Sequence, residues 1–450
     1  MGKEEEATPQ RHVVVEISNE VEAESITTLH RRQILHRVSP QLRENKKHVY
    51  DPVVLSLGPY HHGGSQFRQT EKLKVEITNT TLDPNVRGLF RCKILDRIDE
   101  IRFFYSGLST YEFDDEALAQ MMLRDTCFVL YYIEIGTQDN DDNYNHMVHR
   151  LGLYVVGLMF RDFFVLENQI PFWIIKLLIN LKINDKDEGE ALLCTFLSEM
   201  NLGDNNRLTR VPWKDEEEPL HLIEAHHITL VDHEEIVATS TQRRRNLKFK
   251  WTRRKRSSPS SSFESDSNAF RSVTDLKAKG IHFRPSSNCV KDIRFNSYSF
   301  YGELYLPIRF VTNNSKVFFS NTIAFEMSPE TDTNFDVASY INFMKALIEN
   351  PKDVKELREK GILFSSLVND EEVVKMFQEV DTYSHTSDYG FNLQDVTMRI
   401  NEHCSSKAKT WMAELIYTYF RSPWTAIALL AATFLLCLTF LQTFYTMNPV

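Results

Sequence analysis

Glu167, Asn168 and Gln169 place three hydrogen-bonding side chains in succession inside the densest apolar region of the body, residues 151–183. Buried carboxylates and amides need partners. This corner, closed by Pro171, therefore has two readings: it caps two helix ends, or it forms a polar patch in an apolar pocket that takes a ligand. The other residues with ligating chemistry are two histidine pairs, His61-His62 and His226-His227. Adjacent side chains on an extended segment point to opposite faces, and neither pair has the H-x-x-x-H or H-E-x-x-H spacing of a chelating helix. Both pairs read as structural or solvated, and no metal or cofactor is expected. The sequence contains no nucleophile elbow, phosphate loop, dinucleotide fingerprint or kinase signature set. Nothing in it selects one acid–base pair from the many carboxylates. No catalytic residue is assigned and no enzymatic activity is expected; the rival is a membrane-bound enzyme or small-ligand-binding protein using the 167–169 corner.

Charge is segregated along the chain. With 52 basic and 62 acidic residues the net charge is −10, which argues against a general nucleic-acid binder. Nine cations nevertheless fall in one short run: Arg243, Arg244, Arg245, Lys248, Lys250, Arg253, Arg254, Lys255 and Arg256. A serine-rich stretch follows at once. The run reads as a solvated linker, as a segment attracted to anionic lipid, or as an import signal. Ser257, Ser258 and Ser260 are candidate phosphosites, each adding roughly −1.5 to −2 charges when modified. Six cysteines without a C-x-x-C are expected to be reduced thiols.

The elements that must position these groups are mostly helical. Residues 1–30 are expected to form a flexible acidic leader. Residues 31–203 read as an N-terminal helical part, with helical patterns at Glu71–Thr78, Arg91–Tyr105 and Glu116–Ile135. Two further helices, 148–167 and 171–182, are expected to meet at the polar corner. Residues 204–272 read as a linker or insertion. Residues 273–330 read as a small β region in which Leu304, Leu306, Ile308 and Phe310 alternate onto one face, Pro307 marks an edge or bulge, and Val317–Met327 returns as a second apolar stretch. Residues 331–421 complete the body. There Asn350-Pro351 and Asn369 signal helix starts, Gly361 signals a stop, and a long helix spans Leu393–Phe420.

The tail is the most apolar segment. Trp424–Tyr445 carries no charge and as a helix would be roughly 33 Å long, enough for a bilayer core. Trp424, Phe444 and Tyr445 stand where aromatics meet headgroups, with Leu429, Leu435 and Leu438 in the apolar interior. Lys407, Lys409 and Arg421 precede the run, so positive-inside logic keeps the upstream side cytosolic. The opening residues show no secretory signal. Residues 422–446 are thus expected to be a single-pass, tail-type anchor on a cytosolic body. The fold class expected is mainly α with a small β-sheet insertion (α+β), plus one C-terminal transmembrane helix.

Several stretches together resemble a plant family, domain of unknown function 247. They are SLGPYHHG at Ser56–Gly63, CKILDRIDEIRFFYS at Cys92–Ser106, MMLRDTCFVLYYI at Met121–Ile133, DFFVLENQIPFWII at Asp162–Ile175, TDLKAKGIHFR at Thr274–Arg284, NTIAFEM at Asn321–Met327, and the tail from Tyr419 to Tyr445. The likeness runs from about Ile34 to Tyr445, with a departure at Val38-Ser39-Pro40, where the family usually has Val-Pro. The resemblance implies a plant membrane protein with no established enzymatic activity. Some relatives are linked to self-incompatibility, which implies recognition or signalling through an unknown protein partner. Its partners are then the lipid bilayer, that protein and, through the basic run, anionic lipid. The plasma membrane is favoured over an endomembrane.

Overall fold

Apolar residues recurring three and four positions apart wind most of the described chain into helices. A computed structural model describes residues 34–44, 46–105, 112–137, 141–183, 185–201, 211–213, 218–231, 272–286, 289–329, 331, 333–382, 391–405 and 423–447. The acidic leader, the basic run and Ser257, Ser258 and Ser260 lie outside these residues.

The first part is all helical: α1 (Pro40–Arg43), α2 (Lys47–Tyr50), α3 (Arg68–Thr81), α4 (Pro84–Leu95), α5 (Ile98–Phe104), α6 (Asp115–Thr137), α7 (Asp141–Leu151), α8 (Leu153–Asp162), α9 (Phe172–Lys182), α10 (Lys186–Asn201) and α11 (Leu222–Val231). The second part mixes both types: α12 (Val273–Ala278), β1 (Ile281–Ser286), β2 (Arg294–Ser297), β3 (Gly302–Pro307), β4 (Arg309–Val311), α13 (Ser315–Glu326), α14 (Asp336–Leu347), α15 (Pro351–Glu359), β5 (Leu363–Ser365), α16 (Asp370–Glu379) and α17 (Phe391–Ser405). The last element is α18 (Pro423–Met447). The protein is mainly helical with a small β component, an α+β arrangement.

Helix α6 is the axis of the first core. It packs against α3, α4, α9 and α10, and Leu118, Met122, Val129 and Ile133 are fully buried, as their spacing predicts. Met121, Phe128 and Leu130 are buried as well, so the helix is enclosed on more than one face. A second core gathers α12, the strands and α14–α17 around Phe283, Phe295, Tyr340 and Phe377. Helix α13 belongs to both: Phe318 and Phe325 face the first core and Ile323 the second.

Strand order is β1-β3-β2, with β1 parallel and β2 antiparallel to the central β3. Leu304 and Leu306 are buried on β3 as their alternation predicts. The alternation does not continue to Phe310. The strand ends at Pro307, and Arg309–Val311 starts a separate parallel pair with β5. Phe310 is exposed there while Arg309 and Val311 are buried. Pro307 sits at the end of a central strand, where its missing N–H breaks no interior ladder.

Val317–Met327 lies almost wholly in helix α13. A helix buried nearly all round shows no single apolar stripe, so an apolar run of this length does not declare its period. The expected 148–167 helix is also revised. Gly152, at φ +85°, separates α7 from α8, and α8 stops at Asp162. Residues 163–170 form turns, and α9 begins after Pro171 as expected. The helix starts at Asn350 and Asn369 are present, the first as a capping box, and Gly361 adopts φ +68° beyond α15. Of the long helix expected over 393–420, residues 406–420 lie outside the described ones.

The tail is helical over Pro423–Met447. Among the described residues no helix is long and apolar enough to cross a membrane. Side chains of α18 are described without a gap over 430–444, a shorter run than the roughly 20 residues a span takes.

Candidate functional site

The polar corner lies where α8 ends, and its side chains bind backbone. Asp162, the last residue of α8, is fully buried. Its carboxylate accepts hydrogen bonds from three successive amides: Val53 (2.9 and 3.0 Å), Val54 (2.7 Å) and Leu55 (2.9 Å). Successive N–H groups converging on one anion form a nest. Asn168 grips the same strand-like segment from the other side. Its Oδ1 accepts from the Leu57 amide at 2.6 Å, and its Nδ2 donates to the carbonyls of Leu55 (3.0 Å) and Asp162 (2.9 Å). Gln169 donates to the carbonyls of Phe163, Val165 and Asn168 and accepts from the Ile223 amide. Glu167 accepts from the Val38 amide at 2.9 Å and from Arg43 Nη1, 2.8 Å from both oxygens.

This clasp joins chain segments more than a hundred residues apart. Residues 53–58 form one jaw and residues 162–171 the other. Gly58 adopts φ +69° between them, and its amide donates to Asp125 Oδ2 at 2.7 Å. A Cβ at Gly58 would lie 2.6 Å from Tyr105 Oη and 3.0 Å from the Gln169 carbonyl oxygen, and Tyr105 Oη itself donates to that carbonyl at 2.9 Å. Asn321 on α13 closes the back. It accepts from the Leu166 amide at 2.9 Å and donates to the Val49 carbonyl at 3.0 Å.

Burial and charge oppose each other around the clasp. Lys74 is fully buried, and burial alone lowers its pKa. The Asp125 carboxylate at 2.7 Å and Glu71 at 2.5 Å outweigh that and hold it above the ordinary lysine range. Burial lowers the His61 pKa despite Glu167 at 4.0 Å. His62 instead packs edge-on against Phe113, so the two histidines diverge. The second pair diverges too. His226 packs against Phe164, while His227 Nε2 lies 2.9 Å from the Glu326 carboxylate. Glu326 also accepts from the amides of Val337 and Ala338 at the start of α14. Burial drives both His221 and His226 down to about 3. Among the described residues no three His, Cys, Asp or Glu side chains are grouped to hold a metal ion.

The structure thus brings Glu167, Asn168, Gln169 and Pro171 together and adds members whose roles the sequence reading had not assigned: Asp162, Asp125, Lys74, Tyr105 and Asn321. Their signal is present in the sequence as polar letters inside apolar runs. On α18, Leu435, Leu438 and Phe444 are 62%, 46% and 53% exposed. The side chains of Trp424, Leu429 and Tyr445 lie outside the description.

Comparison with known proteins identifies the family. A family model described as a plant protein of unknown function, domain of unknown function 247, matches residues 35–438. The chain is 21% identical over 469 residues to the putative UPF0481 protein At3g02645 of Arabidopsis thaliana, covering 88% of this chain and 86% of the relative. It is 24% identical over 412 residues to the UPF0481 protein At3g47200 of the same plant, covering 88% and 82% respectively. No solved structure matches significantly. The matched region takes in both jaws of the clasp, both cores and most of α18, and the chain belongs to the plant family called domain of unknown function 247.

Proposed function

We propose that the protein is a membrane-anchored recognition component whose helical body is held at the cytosolic face by α18. One observation carries the anchor: large apolar side chains of α18 are exposed around its whole circumference. Ile427, Leu430, Phe434, Leu435, Leu436 and Phe440 are 56–73% exposed. At 100° per residue these positions are distributed over every face of a helix. An uncharged helix apolar on all sides takes an apolar surrounding, and a bilayer supplies one. The uncharged sequence from Trp424 to Tyr445 and the cations upstream support the same orientation. The plasma membrane is the favoured location.

The recognition half rests on the family resemblance and on the chemistry of the clasp. The polar groups at 167–169 bind backbone, which suits a rigid scaffold better than a turnover site. The hairpin linking β2 and β3 carries an exposed aromatic tip, Tyr298, Phe300 and Tyr301, with the two tyrosine rings stacked at 4.7 Å. Aromatic groups of this kind are enriched where proteins meet, and the tip is the proposed contact for a protein partner. The basic run 243–256 is proposed to lie against anionic lipid of the same leaflet, with phosphorylation at Ser257, Ser258 or Ser260 weakening that attraction.

Alkaline carbonate extraction tests the anchor. The full chain should stay in the membrane pellet and a chain ending at Ser422 should be released. A truncated chain that remains fully pelleted would show that α18 is not what holds the body there.

A further inference from the structure

We propose that a cleft between α3, α4 and α6 binds the phosphate group of a small ligand. The cleft has a volume of about 260 Å³ and lies on the side of the helical body formed by these three helices. Each helix contributes one face: Asn79 from α3, Arg87 and Arg91 four residues apart on α4, and Gln120 and Arg124 four residues apart on α6. Three guanidiniums thus line one cavity, and none of its lining residues is acidic.

The positive charge is only partly compensated. Arg91 binds the Glu116 carboxylate through Nε at 2.7 Å and through Nη2. Arg87 donates from Nη1 to the Asn79 side-chain oxygen at 2.6 Å, a neutral partner that leaves the cation unbalanced. Like charges four residues apart on a helix repel, and the whole chain is acidic, at −10. Placing Arg87 and Arg91 four residues apart works against that repulsion. Guanidinium forks match phosphate geometry and bind it through paired hydrogen bonds.

Gly88 gives an independent indication. A glycine inside a helix costs stability, and it is ordinarily justified by a close neighbour. Here a Cβ would meet nothing within 4 Å, so packing does not demand the glycine. Gly88 lines the cleft between Arg87 and Arg91 and puts no side chain into it. The lining combines Leu123 with Asn79 and Gln120, a mixture suited to one charged group on a modest organic body. This site is separate from the clasp and from α18, and it stands whether or not the membrane reading holds.

The test uses the full chain in non-ionic detergent with inorganic pyrophosphate as probe, followed by isothermal titration at constant ionic strength. Three variants accompany it: Arg124→Gln, Gly88→Leu and, as a distant control, Lys375→Gln. Pyrophosphate should bind the parent and the control alike, and binding should weaken by about tenfold or more in Arg124→Gln and Gly88→Leu. Gly88→Leu leaves every charge in place, so its loss of binding locates the probe in the cleft. Competition by soluble glycerol 3-phosphate would assign the site to a free phosphate ester. Competition confined to phosphatidic acid in mixed micelles would assign it to a lipid headgroup, and both results sustain the proposal. Absence of binding by the parent at millimolar pyrophosphate, or equal binding by all three variants, overturns it.

Discussion

Glu167 is a buried carboxylate whose two ties, to the Val38 amide and to Arg43, fix residues 38–43 against the turn that follows α8. Replacing it by Leu strands a buried N–H and removes half of an ion pair that is open to water on the arginine side. The loss should be about 2–3 kcal/mol, below the figure for a wholly buried pair. Glu167→Gln keeps an acceptor for Val38 and should lose less; equal losses in urea unfolding would show that the amide contact is not what matters. A pH dependence follows from the buried histidines. His221 and His226 stay neutral in the fold down to about 3, whereas in the unfolded chain they take up protons below about 6.5. Their contribution is complete above that value and is lost as pH falls towards 3, by about 2 kcal/mol per histidine at pH 5. His226→Gln should shrink the drop in stability between pH 7 and pH 5 by that amount. An unchanged drop would mean that His226 protonates in the native state.

At the scale of elements, the clasp depends on a backbone shape. Gly58 and Gly63 both adopt positive φ, at 69° and 83°, but a Cβ at Gly63 meets nothing within 4 Å while one at Gly58 strikes Tyr105 and the Gln169 carbonyl. Gly63→Ala should therefore cost about 1–2 kcal/mol, the conformational penalty alone. Gly58→Ala should cost clearly more, with Tyr105 displaced, which the melting temperatures of the two variants would separate. Similar losses would remove the close approach from the account. The sequence made those turns visible, as it did the caps at Asn350 and Asn369, because glycine, proline and asparagine signal locally. It did not disclose what the loop binds. Asp162 reaches Val53 at a sequence separation of 109, and no local pattern encodes such a partner. Helix α13 escaped for the opposite reason: enclosed by both cores, it lacks the polar face that would reveal its period. The arginines of the cleft lie on two separate helices, so their proximity too is a tertiary fact.

At the scale of the whole molecule, two cores share α13, and Asn321 on that helix ties the 166 turn to α2. Loosening the clasp should therefore reach the second core, whereas removing α18 should not if the tail, as proposed, holds the body in place without building it. The most direct measurement of the anchoring claim uses the cysteines already present. Cys92 is exposed on the body and Cys437 lies within α18. Two single-cysteine chains, retaining one or the other, are treated in sealed membrane vesicles, cytosolic face outward, with a membrane-impermeant maleimide. The account predicts that Cys92 labels promptly and that Cys437 labels only after denaturing detergent strips the bilayer. Labelling of Cys437 in intact vesicles at the rate of Cys92 would place α18 in water and contradict the anchor.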